Sequence, residues 1–181
     1  MKKSITFTVL LFFTSTFLIA QGSLDFGVEF QAYPTGIMPG VRLEKNFSER
    51  HALHLRVGAN IFDHRDWGKH FKETGSGYGF TLGYKRYFQP GHKRWFLGLR
   101  NDLWFNQVNW TKDIALPPFT GTTQIMVVQP TAEGGYTFVK NHLFFTPSLG
   151  FGFEINTRTK GEPTGEGAIV LLGITAGYRF W

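Results

Sequence analysis

The stretch Leu143–Ile155, LFFTPSLGFGFEI, puts Leu143, Phe145, Pro147, Leu149, Phe151, Phe153 and Ile155 at alternate positions. Phe144, Thr146, Ser148, Gly150, Gly152 and Glu154 fall between them. A period of two sustained over this length specifies a β-strand with one apolar face and one face of mostly small or polar residues. The C-terminal stretch repeats the pattern. Ala168, Val170, Leu172, Ile174, Ala176, Tyr178 and Phe180 share one side, while Gly173, Thr175, Gly177 and Arg179 share the other. Strands this long exceed those of an ordinary small sandwich.

Followed backwards, the alternation predicts eight strands, at 23–33, 38–47, 51–63, 78–88, 94–110, 123–138, 143–156 and 167–181. The connections 48–50, 89–93 and 139–142 are short, whereas 64–77, 111–122 and 157–166 are long and polar; only Pro34–Ile37 is brief on the long-loop side. An even number of strands with short turns at one end and long loops at the other is the layout of a bacterial outer-membrane barrel. In hydrocarbon an unpaired backbone group costs several kcal/mol, so a sheet crosses a membrane only when closed. The predicted fold is therefore all-β: an eight-stranded antiparallel up-and-down transmembrane barrel. Phe47, Tyr84, Phe88, Trp95, Tyr136, Phe138 and Tyr178 are placed as the aromatic girdle at the short-turn rim, and Tyr33, Trp67, Tyr78 and Trp110 at the long-loop rim.

The N-terminus agrees with export. Met1-Lys2-Lys3 is a basic lead, Ile5 to Ile19 is apolar, and Ala20 is a small residue before Gln21-Gly22-Ser23. This reads as a signal peptide over 1–20, leaving 21–181 as one barrel domain, with the Gram-negative outer membrane as its location. The chain has no cysteine, which removes disulfides, thiolate metal sites and thiol nucleophiles. Its formal charge of +6, to which Lys2 and Lys3 contribute, is too modest to indicate nucleic acid. No cofactor is expected.

Strand parity assigns the interior. Glu29, Arg42, Glu44, Arg56, Lys85, Arg100, Asp102, Glu133, Glu154 and Arg179 face inward as a lumen polar network, with Gln31, His54, Asn60, Gln129, Thr131, Ser148 and Thr175 among them. Acids and bases nearly balance, and eight strands leave a lumen that side chains just fill. A narrow pore gated by ion-pair rearrangement is the alternative. Three positions depart from the pattern: Asn101 falls on the lipid face, and Pro130 and Pro147 lie inside strands, where bulges or, at Asn101, a subunit contact account for them.

These features resemble the small OmpA/OmpX-type outer-membrane barrels, and the resemblance covers the whole mature chain. It rests on the signal peptide, the amphipathic strands and the terminal Gly177-Tyr178-Arg179-Phe180. It implies that the barrel assembly machinery reads a C-terminal aromatic pair. Tyr178 and Phe180 supply that pair, with Trp181 displacing the usual final position by one.

The search for catalysis gives little. Lipid A deacylases on this architecture carry a serine two residues after a histidine, and no His-x-Ser occurs. Ser148 and His54 lie on distant strands, and a Ser-His-acid site needs hydrogen-bond reach; no enzyme activity is expected, and His54 is read as the only inward histidine. His51 and His54 fall on opposite faces of one strand and cannot share a metal. Gly75-Ser76-Gly77-Tyr78-Gly79 lacks the Lys and helix of a phosphate cradle. The stretch His64–Lys72 interleaves Arg65, Trp67, Lys69 and Lys72, which suits phosphates of lipopolysaccharide or a surface glycan. The remaining functional expectation is a structural or adhesive surface role, with a narrow channel or a lipid A-modifying enzyme as alternatives and a soluble ligand-binding barrel disfavoured by the charged interior.

Overall fold

The computed structural model describes residues 22–65, 70–112 and 119–180. Eight antiparallel strands close into a barrel in sequence order. They are β1 (Leu24–Tyr33), β2 (Gly36–Asn46), β3 (His51–His64), β4 (Lys72–Tyr87), β5 (Arg94–Lys112), β6 (Phe119–Lys140), β7 (Leu143–Lys160) and β8 (Gly167–Phe180). Closure comes from β1 and β8, in register from Leu24 opposite Phe180 to Ala32 opposite Leu172. No sheet edge is left unpaired, which is the condition for burying backbone in lipid.

The alternation read from sequence is the alternation observed. On β5, Trp95, Leu97, Leu99 and Phe105 point outward, while Phe96, Arg100, Asp102, Trp104 and Asn106 are buried. The outward apolar run from Trp95 to Phe105 is followed by Gln107 and Asn109. At about 3.3 Å per residue and about 40° of tilt that run spans about 25 Å, the height of a barrel's apolar band. Neighbouring strands keep level with it, because Tyr78 on β4 gives way outward to Ser76 and Ile155 on β7 to Thr157.

Several elements reach further than expected. β4 begins at Lys72 rather than 78, β6 at Phe119 rather than 123, and β7 ends at Lys160 rather than 156. These extensions are polar outward, so hydropathy alone does not mark them, yet their backbones pair in unbroken register, as from Lys72 opposite Thr111 to Gly75 opposite Val108. The upper girdle is also smaller than expected. Tyr78 is exposed outward, but Trp110 is buried, and Tyr33 turns inward to donate its hydroxyl to Asn60 Oδ1 at 2.6 Å. The lower girdle stands: Phe47, Tyr84, Phe88, Trp95, Phe138 and Tyr178 are exposed, and Trp95 and Phe138 both pack on Tyr136.

Neither interior proline forms a bulge. The register shift between β6 and β7 lies at Met126/Val127, where one extra residue is accommodated. Around Pro130 and Pro147 the register is unchanged on both sides, and the β6–β7 pairing simply skips those rungs, as between Val128↔Ile155 and Thr131↔Gly152. A missing N–H costs a ladder bond but does not by itself displace a strand. Asn101 is exposed on the outer face opposite Pro130.

The signal peptide expected at 1–20, Trp67 and Lys69 of the basic loop, and Trp181 lie outside the described residues.

Candidate functional site

The lumen is built in layers from β-strand parity. At its centre four carboxylates and four cations interlock. Glu29 meets Arg42 at 2.7 Å, Arg56 at 3.2 Å and Arg100 at 3.5 Å. Glu44 meets Arg42 and Lys85, each at 3.0 Å, and accepts the Tyr87 hydroxyl at 2.9 Å. Asp102 lies 3.2 Å from Arg100 and 3.7 Å from Arg56 and accepts a hydrogen bond from the Thr81 hydroxyl. Glu133 sits 3.8 Å from both Arg42 and Arg100. Neutral groups complete the shell: Gln31 donates to Glu29 and accepts from Arg100, and Thr175 donates to Glu29.

Burying an ion is costly unless it is paired and hydrogen-bonded, and here each charge has a counter-charge from a neighbouring or facing strand. A mobile ion entering the layer would have to break such pairs. The network fills the lumen at this level with paired charges.

Two apolar layers cap it. Toward the short turns, Ala52, Tyr87 and Phe96 pack together, and Lys85 Nζ lies 4.2 Å from the Phe96 ring centre. Toward the long loops, Met38, Trp104, Val127, Ile169 and Leu171 form a disc across the lumen. Trp104 is 1% exposed, and Arg56 lies over its ring. The disc depends on Gly79, where a Cβ would come within 2.4 Å of the Trp104 ring. Below the network, a gap of about 10 Å³ beside Asp25, Lys85 and Thr146 is no larger than one water.

At the short-turn rim, Arg179 grips Asp25 and also donates to the carbonyls of Gly91 and His92. Asp25 was missed in the sequence reading, although its parity with Glu29 and Gln31 places it inside.

Glu154 is not part of the central network. It lies above the disc, in the wall of an outer vestibule of about 250 Å³ shared by Tyr33, Asn60, Asn106 and Asn156. There it makes no hydrogen bond or ion pair among the described residues. The network and Glu154 are separated because the disc residues Val127 and Ile169 intervene.

His54 is also not alone inside, since His70 and His92 are buried and His64 is largely so. His70 folds back over the barrel mouth: its ring stacks on Trp110 at 4.8 Å, its Nδ1 lies 2.5 Å from Glu73, and its Nε2 lies 3.5 Å from Glu162. His64 Nε2 reaches the other Glu73 oxygen at 3.2 Å. Burial alone would raise the Glu73 carboxyl, but the hydrogen bonds from His64 and His70 outweigh it and hold it below the usual carboxylate range. Glu162, partly exposed, is lowered by its bond from Lys112. Trp110, misplaced in the girdle, is the platform of this lid and donates its indole N–H to Thr123 at 3.0 Å. At the opposite rim, burial and the nearby Arg179 lower His92.

Of the basic loop, Arg65 lies over the Phe71 ring and Lys72 pairs with Asp63 at 3.4 Å, both on the exterior of the mouth. At the closing strand, Tyr178 and Phe180 share the outer face with their rings 4.9 Å apart. His51 points outward to the Tyr84 hydroxyl at 2.5 Å, while His54 is buried inside and neither of its ring nitrogens reaches a hydrogen-bond partner among the described residues. Ser148 makes no hydrogen bond to a histidine or carboxylate among the described residues.

No family model matches the chain, and no curated protein matches it in sequence. Solved structures do. Ail, the attachment invasion locus protein of Yersinia pestis, in a crystal structure with the heparin analogue sucrose octasulfate, is 8% identical; the match covers 88% of this chain and 96% of that one, with a TM-score of 0.51. The N-terminal β-barrel domain of Pseudomonas aeruginosa OprF is 16% identical, with 88% and 100% covered and a TM-score of 0.49. Neisserial surface protein A is 8% identical, with 87% and 94% covered and a TM-score of 0.42. The chain has the fold of the small eight-stranded outer-membrane β-barrels.

Proposed function

We propose that this protein is a non-conducting surface barrel of the Gram-negative outer membrane, structural or adhesive in role, without cofactor or enzymatic activity. The observation that carries this reading is the inversion of an ordinary soluble fold: an apolar band outside and a charge-balanced, side-chain-filled interior. Such a surface is stable only in a bilayer, and such an interior passes few ions. The signal peptide at 1–20 delivers the chain across the inner membrane, and the barrel assembly machinery inserts it by reading Tyr178, Phe180 and Trp181.

The stretch 64–72 carries Arg65, Trp67, Lys69 and Lys72, a basic and aromatic composition suited to the phosphates of lipopolysaccharide or to an anionic surface glycan. The Ail structure was solved with a sulfated sugar, and the same chemistry of bases toward anions is what this loop offers.

The test is cell fractionation with a heat-modifiability gel. A closed membrane barrel stays in the outer-membrane fraction and migrates differently unless boiled. A soluble periplasmic protein with no such shift would overturn the proposal.

A further inference from the structure

Asn101 interrupts the apolar outer wall. On β5 the outward residues run Trp95, Leu97, Leu99, Asn101, Leu103 and Phe105, so the amide lies near the middle of the stretch that crosses the hydrocarbon. The side chain is exposed and makes no hydrogen bond among the described residues. Its neighbours on the outer face are Leu99 and Leu103 along the strand, Leu82 opposite on β4 and Pro130 opposite on β6. None of these carries a polar side chain, and a primary amide in hydrocarbon without hydrogen bonds is costly. Lipid tails offer neither donor nor acceptor, so the partner has to come from another protein surface.

A second observation concerns shape. Beside Asn101 the wall is hollowed into an open groove of about 610 Å³. Its floor is Ala132 and Gly134 on β6, between Leu97 and Leu99 on β5 and Leu149 and Phe151 on β7. The packing of the barrel itself does not require so small a floor. A Cβ at Gly134 would meet nothing nearer than the end of the Leu97 side chain, at 3.3 Å, whereas at the inward Gly79 it would meet the Trp104 ring at 2.4 Å. Small residues on a lipid-facing surface let a second protein surface approach closely.

The chemistry of Asn101 identifies the occupant. An amide is both donor and acceptor, so two of them satisfy each other through a reciprocal pair of hydrogen bonds. Copies inserted in the same orientation carry Asn101 at the same depth, and a two-fold axis along the membrane normal brings like residues face to face.

We propose that the β5–β6 wall is a self-association surface, on which a second copy of this chain pairs its Asn101 amide with that of the first, the groove over Ala132 and Gly134 allowing the two walls to come close. This goes beyond the surface-barrel reading, which is the same for a single barrel and a pair. Association in micelles and vesicles is independent of localisation and conductance.

The test is sedimentation equilibrium of the full mature barrel in detergent micelles, joined to cross-linking in phosphatidylcholine vesicles. The wild type should sediment as a monomer–dimer equilibrium. Asn101→Leu should raise the dissociation constant about tenfold or more, and Asn101→Gln, which keeps the amide, by less. Asn101→Leu should also resist urea at least as well as the wild type, because an apolar side chain replaces a polar one against lipid; a role for Asn101 within its own barrel would lower that resistance and overturn the proposal. Because the chain has no cysteine, Leu99→Cys and Val28→Cys each supply a single thiol. A short bifunctional maleimide should join Leu99→Cys several-fold more than Val28→Cys, which is exposed on the outer face of β1, across the barrel from β5. This comparison keeps Asn101 and stands even if a variant at that position fails to fold. A wild type that stays monomeric, equal cross-linking at the two positions, or an unchanged dissociation constant in Asn101→Leu would each overturn the proposal.

Discussion

Arg179, on the last strand, holds Asp25, on the first, through two contacts, Nε to Oδ1 at 2.8 Å and Nη2 to Oδ2 at 2.6 Å. The two residues are also direct partners in the β1–β8 register. One ion pair thus spans the seam where the chain closes on itself, and it ties in the carbonyls of Gly91 and His92 from the turn between β4 and β5.

The seam pair is expected to contribute to barrel stability out of proportion to a surface ion pair. Both side chains are largely removed from solvent, and truncating one leaves the other buried without its partner. Arg179→Leu should lower stability by about 2–4 kcal/mol. Arg179→Lys should recover only part of it, because an ammonium cannot bond both carboxylate oxygens as the guanidinium does. The double variant with Asp25→Asn should lose less than the two single losses added. Urea unfolding in micelles measures all of these, and strict additivity would show that the contact is energetically idle.

In planar bilayers the wild type should give no large, stable conductance steps, since the Trp104 disc and the charge network lie in series. Arg100→Ala leaves Asp102 and Glu133 with an excess of negative charge and takes the donor from Gln31. Combined with Trp104→Ala, which breaches the disc, that variant should show brief, cation-selective openings. Porin-like steps from the wild type would sink the closed-lumen reading.

If the long connections face outward, protease added to intact cells should cut within 65–71, 113–118 or 161–166. The turns 47–50, 88–93 and 141–142 should be spared. Cleavage at those turns in intact cells would reverse the orientation.

The lid at the mouth carries a pH dependence. The Glu73 carboxyl is held below its ordinary value in the folded protein, so its stabilising contribution is fully present above the unfolded pKa of about 4.3. It is lost as pH falls through the lowered folded value. Hydrogen exchange at 70–73 should accordingly rise below about pH 4 in the wild type. In Glu73→Gln it should already be raised at neutral pH and change little on acidification. An acid response of equal size in both proteins would place the lid's sensitivity elsewhere.

Parity made most of this barrel readable, because a period of two is a local property that needs no knowledge of the partners. Trp110 and Tyr33 show where a second rule displaced it. The parity that puts Arg100 and Asp102 inside also puts Trp104 and Trp110 inside, but the habit of aromatics at membrane interfaces argued for the rim. The vestibule was hidden for a different reason. Glu154 shares the parity of the network residues, and only the height of the Trp104 disc, a consequence of inter-strand register, separates it from them. The fold-back of His70 onto Trp110 depends on a contact between a connection and the end of β5, which alternation within strands does not encode.

The end of the chain yields the last prediction. Phe180 pairs with Leu24 at the final rung of closure and packs against Tyr178 on the lipid side. Trp181 follows beyond that rung in sequence. If the assembly machinery reads the outward aromatics of a paired strand, Tyr178 and Phe180 form the recognised pair, and Trp181 adds to it only secondarily. Deleting Tyr178 to Trp181 removes the last rungs and Arg179 together, and the chain should then be degraded in the periplasm. Phe180→Ala should reduce the heat-modifiable protein in the outer-membrane fraction more than Trp181→Ala, several-fold against a small change. Arg179→Leu serves as the control for lost closure without lost aromatics: it should assemble but unfold at lower urea. If Trp181→Ala is the more damaging change, recognition centres on Trp181 rather than on the lipid-facing pair.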